Sequence, residues 1–379
     1  MYDRARRLAA RALRAGPGRV VGRRGKGGLD GKGRADDPRV DHGARRGVPA
    51  GGARARARGL RRPRLADGVP ADPEDLAAAS RVSDLPGYLV HRGLSALFGL
   101  LPEPAVRAVG RATGRALYPV AGRRAAMARR HLRRILGPGV PDDVVDAAAR
   151  ELFASYGRYY AELFWYRPRR RREVLARTRV DRLDLVEEAK AVGRGVVFAV
   201  AHVGNYDAPG IVAAELGLPL LAVAERLPNP KVTEWFVATR RSLGIEVALT
   251  GDPLTRRLLR HLAAGGAIAL LADRAVAGRG VEVEFFGEET LLPAGPVALA
   301  DRTGAPLLAV APFFAEGPGT EVVVRGPIEI PDDPDRRVRV RRGTQRLARV
   351  LEELIGTRPT QWHVLQPNWP SDPGWRGRR

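Results

Sequence analysis

The sequence predicts an α/β fold, a central β-sheet flanked by helices, and three observations predict it. Continuous apolar runs such as Gly195 to Ala201 and Ala267 to Ala272 have the length of buried strands. Segments with helical apolar spacing separate these runs, the alternation expected of layered α/β structure. The patterning also changes twice, near residue 80 and after the basic run Arg167 to Arg172, so that a polar tail, a helical part and an α/β part follow one another.

Residues 1–80 are rich in Arg, Gly, Ala and Pro and nearly free of aromatic residues, too little apolar surface to offset the entropy of ordering, and are expected to be disordered. They hold 20 basic and 9 acidic side chains, so much of the net charge lies outside the expected domain. Three readings of the tail stand side by side: an arm for anionic surfaces, a linker, or residues upstream of the true start. From Asp84 to Tyr118 leucines cluster between Arg and His residues, as in amphipathic helices that cover a core or lie at a membrane interface. Residues 122–166 continue the helical signal and end in the aromatic stripe Tyr156, Tyr159, Tyr160, Leu163 and Phe164, which reads first as packing.

Strands are then expected at Gly195 to Ala201, Leu220 to Ala224, Glu246 to Leu249, Ala267 to Ala272, Val281 to Phe286, Pro306 to Phe313 and Thr320 to Arg325. Helices are expected at Pro209 to Leu216, Val232 to Leu243 and Asp335 to Ile355. This gives one domain over residues 81–370, with a helical, membrane-contacting part at 81–166, an α/β catalytic part at 190–370 and a basic tail at 371–379.

Lys and Arg number 65 against 42 Asp and Glu, a formal charge of +23, which favours phosphate-rich partners such as nucleic acid or anionic lipid headgroups. The absence of cysteine removes disulfides, thiolate metal sites and cysteine nucleophiles. The opening residues lack the apolar core of a secretory signal, and no run of 18 apolar residues occurs, so membrane contact is expected to be peripheral. The six histidines are scattered without ligand spacing, and no metal or cofactor is expected.

The chemistry is expected where the strand ending at Ala201 delivers His202-Val203-Gly204-Asn205-Tyr206-Asp207, because open α/β sheets bind ligands beyond the carboxyl ends of their strands. With a glycine in the turn, Asp207 can fold back onto one imidazole nitrogen and leave the other facing a substrate hydroxyl. Read singly, Asp207 is equally an N-cap ahead of Pro209, and His202 equally a buried imidazole.

These six residues resemble the HX4D motif of lipid acyltransferases, in the form carried by lipid A lauroyl and myristoyl acyltransferases and phosphatidylinositol mannoside acyltransferases. Further segments resemble the mannoside subgroup in the same order: Ala224 to Leu227, Arg240 to Gly244, Leu271 to Arg274, Gly280 to Gly287, Pro293 to Pro296 and Gln361 to Trp369. The resemblance runs from about Asp84 to Trp369. It implies a central mixed sheet, an acyl-CoA or acyl-carrier thioester as co-substrate, and a lipid-borne hydroxyl acceptor at the cytoplasmic face of the membrane. By this resemblance His202 is the base and Asp207 its partner. Asp273 is a candidate acidic support for the His, with Glu282 and Glu284 as rivals. Asn205, Tyr206, Glu225, Arg226, Arg240, Arg274 and Glu284 are the expected substrate-binding residues. Ala275 departs from the subgroup, which tends to carry a second acidic residue there.

Two rival functions are weighed. A glycerolipid acyltransferase would share the His/Asp chemistry, but its Phe-Pro-Glu-Gly-Thr-Arg segment is absent; the nearest text is Phe286 to Thr290. A nucleic-acid-binding protein would explain the charge, but no binding motif accompanies it, so no nucleic-acid partner is expected.

Overall fold

Five-residue apolar stretches such as Val196–Val200 cannot bury themselves as isolated helices, and paired side by side they build the molecule's sheet. The computed structural model describes residues 73–251, 254–275 and 280–375, with side chains from Leu85 onward. The helical part comprises α1 (Pro73–Leu100), α2 (Glu103–Leu117), α3 (Arg123–Leu136), α4 (Asp142–Trp165) and the short α5 (Arg171–Ala176). There follow β1 (Thr178–Asp181), α6 (Leu183–Ala191), β2 (Val196–Val200), α7 (Ala208–Glu215), β3 (Leu220–Ala224), α8 (Pro230–Ser242), β4 (Ile245–Leu249), α9 (Leu254–Ala263) and β5 (Ala267–Leu271). The chain ends with β6 (Val281–Phe285), β7 (Glu288–Leu292), α10 (Gly295–Thr303), β8 (Leu307–Phe314), β9 (Thr320–Arg325) and α11 (Arg336–Thr357).

Seven strands form one mixed sheet in the order β1-β9-β8-β2-β5-β3-β4. The run from β8 to β4 is parallel, whereas β9 lies antiparallel to β8 and β1 parallel to β9. β6 and β7 form a separate antiparallel hairpin. Because side chains alternate along a strand, Val197 and Ala199 enter one core with Leu262, Leu347, Leu351 and Trp362. Val196, Phe198 and Val200 enter a second core, on the other face, with Trp165, Leu185 and Ile211. This is the α/β fold with flanking helices that the sequence predicts.

α4 brings Ala161 and Trp165 into the core that Val196, Phe198 and Val200 enter. It can lie almost against α2 because Gly114 and Gly157 carry no side chain; a Cβ on either would collide with backbone of the opposing helix.

Several boundaries differ from expectation. The disorder expected for residues 1–80 falls, up to residue 72, outside the described residues, but from Pro73 the backbone is already helical. The helical stretch from Asp84 to Tyr118 is broken at Pro102, which lacks the amide to continue α1 and instead precedes α2. Strands β1 and β7 and helices α6, α9 and α10 were not foreseen. The basic tail expected from residue 371 begins later: Asp372 is buried and its carboxylate meets His131 Nε2 at 3.1 Å, so this segment belongs to the domain. Residues 376–379 lie outside the described residues.

Candidate active site

β2 and β5 are hydrogen-bonded neighbours in parallel register, Val200 opposite Leu271, so their carboxyl ends emerge side by side. Two residues past each end stand His202 and Asp273. The Asp273 carboxylate is fully buried and uses both oxygens: Oδ1 lies 2.6 Å from His202 Nδ1, while Oδ2 accepts the His202 backbone N–H at 2.7 Å and the Trp362 indole N–H at 2.6 Å. Since Oδ1 can only accept, Nδ1 carries the proton, and the imidazole leaves Nε2 as a free lone pair. The imidazole side chain retains 17% exposure, so it can be reached. Burial works against ionising Asp273, but the His202 ring and amide and the Trp362 indole together hold its carboxyl below the ordinary range.

The segment after α11 closes over this pair. The His363 amide donates to His202 O at 2.7 Å, Val203 and Trp362 form an isolated bridge, and Asn368 Nδ2 donates to Asp273 O at 3.0 Å. His363 itself is buried, with Ser155 Oγ 2.9 Å from Nε2 and, among the described residues, no partner at Nδ1. Burial, and next the nearby His202, push its pKa down to about 3.

Asp207 does not fold back onto His202. It sits at the N-cap position of α7 without making a capping bond, and its carboxylate is taken by Arg240 of α8, Nε to Oδ1 at 2.6 Å and Nη2 to Oδ2 at 3.4 Å. Tyr159 Oη lies 3.4 Å from Oδ2. The physical reason for the correction is charge: a buried carboxylate pairs with the guanidinium that reaches it, and Asp273 already occupies the imidazole. Burial opposes the charged form of Arg240, but Asp207 outweighs it and holds the guanidinium more firmly protonated than usual.

The remaining expected substrate residues divide into three groups. Tyr206 packs on Tyr159 with ring centroids 4.6 Å apart and meets the His202 ring edge-on at 5.9 Å, so it borders the imidazole; burial raises its phenol pKa and keeps it a neutral donor. Glu225, exposed at the end of β3, pairs with Arg274 at 3.0 Å beyond Asp273, and Arg226 beside it is exposed. Asn205 and Glu284 are not brought to the substrate side. Asn205 is fully buried, with both Nδ2 hydrogens taken by Glu162 Oε2 and Tyr166 Oη at 2.9 Å. Glu284 lies on the β6–β7 hairpin, where it pairs with Arg349 of α11 at 2.8 Å. Glu282 shares that hairpin and is exposed.

Sequence reasoning assigned no role to Trp362, His363, Tyr159 or Glu162. The first two stood in a segment that carried the family resemblance, Tyr159 in a stripe read as packing, and Glu162 beside that stripe without a reading of its own. A hollow of about 490 Å³ exists at the opposite end of the sheet, beside Leu307, but Asp301 there is already paired with Arg336 and Arg339 and no histidine is among the residues that line it. Among the described residues no group of three acidic or His side chains could hold a metal ion.

Residues 81–371 match the family described as bacterial lipid A biosynthesis acyltransferase. The chain is 36% identical over 276 residues to a phosphatidylinositol mannoside acyltransferase of Mycolicibacterium smegmatis, covering 70% of this chain and 88% of that one. It is 36% identical over 254 residues to the phosphatidylinositol mannoside acyltransferase of Mycobacterium tuberculosis, covering 64% and 77%. A lipid A biosynthesis acyltransferase of Haemophilus influenzae is more distant, 25% identical over 182 residues, or 48% of this chain and 55% of that one.

Proposed function

This chain belongs to the bacterial lipid A biosynthesis acyltransferase family and is an acyltransferase, and on that premise we propose that it moves a fatty acyl group from acyl-CoA, or an acyl-carrier thioester, to a hydroxyl of a phosphatidylinositol mannoside at the cytoplasmic face of the cell membrane. The observation that carries the reading is the His202–Asp273 contact, which holds Nδ1 of the imidazole and leaves Nε2 to face a substrate.

In this mechanism Nε2 accepts the acceptor's hydroxyl proton as that oxygen attacks the thioester carbonyl. The resulting imidazolium is stabilised by the buried Asp273 carboxylate, which stays ionised. The tetrahedral intermediate then expels the thiolate, the imidazolium returns its proton to sulfur, and ester and free thiol leave with no net change in the enzyme. No nucleophile of the protein is required. Glu225 and Arg274, at the exposed side of the pair, have the chemistry to hold sugar hydroxyls and a lipid phosphate respectively. The relatives named for phosphatidylinositol mannoside support that acceptor class.

A membrane-surface location is supported by α1 and its neighbours. No helix of the described residues is long and apolar enough to cross a membrane. Yet Leu85, Leu89, Leu97 and Leu100 of α1 share one exposed face, Leu100 being 78% exposed, with Arg92 at its edge. Arg169 and Arg170 sit at the helix's end, bonded to Gly99 O at 2.7 Å and Leu101 O at 3.2 Å. Apolar side chains flanked by guanidinium groups suit an anionic lipid surface.

The test incubates purified protein in vesicles containing phosphatidylinositol mannoside, or other glycolipids and lysophospholipids, with acyl-CoA, and follows thiol release and product mass. Transfer to the mannoside that His202→Ala abolishes is the expected result. Equal turnover by His202→Ala would refute the mechanism, and transfer only to a lysophospholipid would refute the acceptor.

A further inference from the structure

Behind the catalytic turn lies a buried run of charged and polar side chains that the mechanism above does not use. Arg158, Glu162 and Tyr166 follow one another at four-residue intervals and so lie along one face of the α4 segment and its end. Arg158 and Glu162 are each about 95% buried and joined at 2.6 Å, Nε to Oε1. The second carboxylate oxygen of Glu162 accepts one Nδ2 hydrogen of Asn205 at 2.9 Å, and Tyr166 Oη accepts the other at 2.9 Å. That fixes the orientation of the amide, because its Oδ1 must then face the Asp207 backbone N–H, 3.2 Å away. The same turn is anchored by Gly204 N–H to Gln361 O and Asn205 N–H to Pro312 O, both at 3.0 Å.

We infer that Glu162 is a positioning residue: its carboxylate, neutralised by Arg158, holds the Asn205 amide and through it the turn that carries His202, Tyr206 and Asp207. The inference rests on the acyltransfer reading of the site. It explains why two buried ions stand behind the turn although neither touches His202 or Asp273. A buried ion pair is a poor source of stability by itself, whereas a carboxylate with two fixed acceptors is a good device for setting one geometry. Glu162 is the charged partner of Asn205 Nδ2 and its carboxylate also meets Arg158, so the brace is linked to α4 rather than to the turn itself.

Donor and acceptor counting gives a specific test. Both Glu162 oxygens accept, one from Arg158 and one from Asn205. Gln at this position has a single oxygen, so Glu162→Gln must set its NH2 against one of those two donors. The reciprocal double variant Glu162→Gln with Asn205→Asp restores every contact with two bonds reversed: the Gln oxygen accepts from Arg158, its NH2 and the Tyr166 hydroxyl both donate to one Asp oxygen at position 205, and the other Asp oxygen still accepts from the Asp207 amide. Glu162→Ala is the poorer probe, because a cavity of about 20 Å³ already adjoins Glu162, lined by Glu103, Arg177 and Thr320, and water could enter to replace the carboxylate.

Wild type, His202→Ala, Glu162→Gln and the double variant are compared by steady-state transfer and by hydrogen exchange of peptides spanning residues 202–208 and 196–200, at a temperature where circular dichroism shows all to be folded. The expected result for Glu162→Gln is kcat lowered by roughly 10- to 100-fold with KM for acyl-CoA little changed, the size of loss that a small misplacement produces. Its 202–208 peptide exchanges faster while the β2 peptide does not, and the double variant recovers both readouts. Wild-type kcat in folded Glu162→Gln, exchange rising equally in both peptides, a folded double variant no better than the single, or failure of both variants to fold would each overturn the inference. Should wild type itself transfer nothing, the acyltransfer reading fails, while the exchange data still decide whether Glu162 braces the turn.

Discussion

Asp207 and Arg240 meet at 2.6 Å in a nearly dry setting, and this pair, not a carboxylate against an imidazole, is what the last residue of the His-to-Asp motif forms. The pair joins the start of α7 to α8 and so ties the turn after β2 to the helix that follows β3. Removing one partner leaves the other charge buried and uncompensated. Arg240→Met is therefore expected to cost about 3–5 kcal/mol in urea unfolding, against typical surface substitutions of under about 0.5 kcal/mol. Asp207→Asn in the Arg240→Met background should cost far less than Asp207→Asn alone. Additive losses would show that the two side chains do not act as a pair.

Asp273 offers a sharper test, because its two oxygens see different donors. Oδ2 faces the His202 amide and the Trp362 indole, both obligatory donors, so in Asp273→Asn the side-chain oxygen is drawn to that position. The NH2 then faces His202 Nδ1, which must accept, and the proton moves to Nε2, where the base is needed. The fold is expected to survive while kcat falls by about 10³- to 10⁴-fold, the scale of loss when a catalytic His is held in the wrong tautomer. A loss of less than about tenfold would mean that Asp273 does not set the tautomer.

These two residues also show where the sequence was legible and where it was not. The strand Val196–Val200 and the position of His202 at its end could be read from an apolar run and the residues that follow, because that signal is local. The partner of His202 was named only through the family resemblance, which offered Asp273 with Glu282 and Glu284 as rivals, since the contact depends on β5 lying beside β2, an order that no local pattern encodes. Asp207 is five residues from His202 in the chain, and that nearness suggested a contact which the direction of its side chain, toward α8, does not make. Asn205, expected among the substrate-binding residues, turns instead to Glu162 and Tyr166, because α4 is packed behind the turn, which no local pattern shows. The missed helix α9 was legible after all: Leu254, Leu258 and Leu262 recur at a spacing of four, and only Leu258 and Leu262 are buried.

His363 gives a pH dependence whose sign can be worked out. Its pKa is pushed down to about 3 in the folded protein, below the ordinary value of 6.5. Above about pH 6.5 both folded and unfolded forms hold it neutral, and its contribution is complete. As pH falls below that value only the unfolded form takes up a proton, so stability declines by up to about 1.4 kcal/mol per pH unit until roughly pH 3. Asp273 and Asp372, both held below the usual carboxylate range, keep their contributions down to about pH 4 and lose them only beneath it. His363→Phe, in surroundings already formed by Tyr156, Tyr159 and Phe314, should thus flatten the decline between pH 6.5 and 4 in urea unfolding curves. Parallel curves for variant and wild type would remove His363 as the cause.

The exposed face of α1 makes a prediction about location that is separate from chemistry. Leu89, Leu97 and Leu100 are each more than half exposed, so polar replacements there cost the fold little. If they enter the lipid interface, each contributes about 1–2 kcal/mol of transfer energy on full burial, and the basic residues near them add an attraction that salt screens. Leu89→Asn with Leu97→Asn is expected to weaken sedimentation with phosphatidylglycerol vesicles by at least about tenfold, without shifting the melting temperature. Wild-type binding should also weaken between low and high salt and on vesicles of neutral phosphatidylcholine. Turnover on a detergent-dispersed acceptor should stay near wild type in the double variant, because both leucines are exposed side chains outside the catalytic turn. Unchanged vesicle binding would place the membrane contact elsewhere on the molecule, and lost turnover in detergent would make this face part of the substrate path instead.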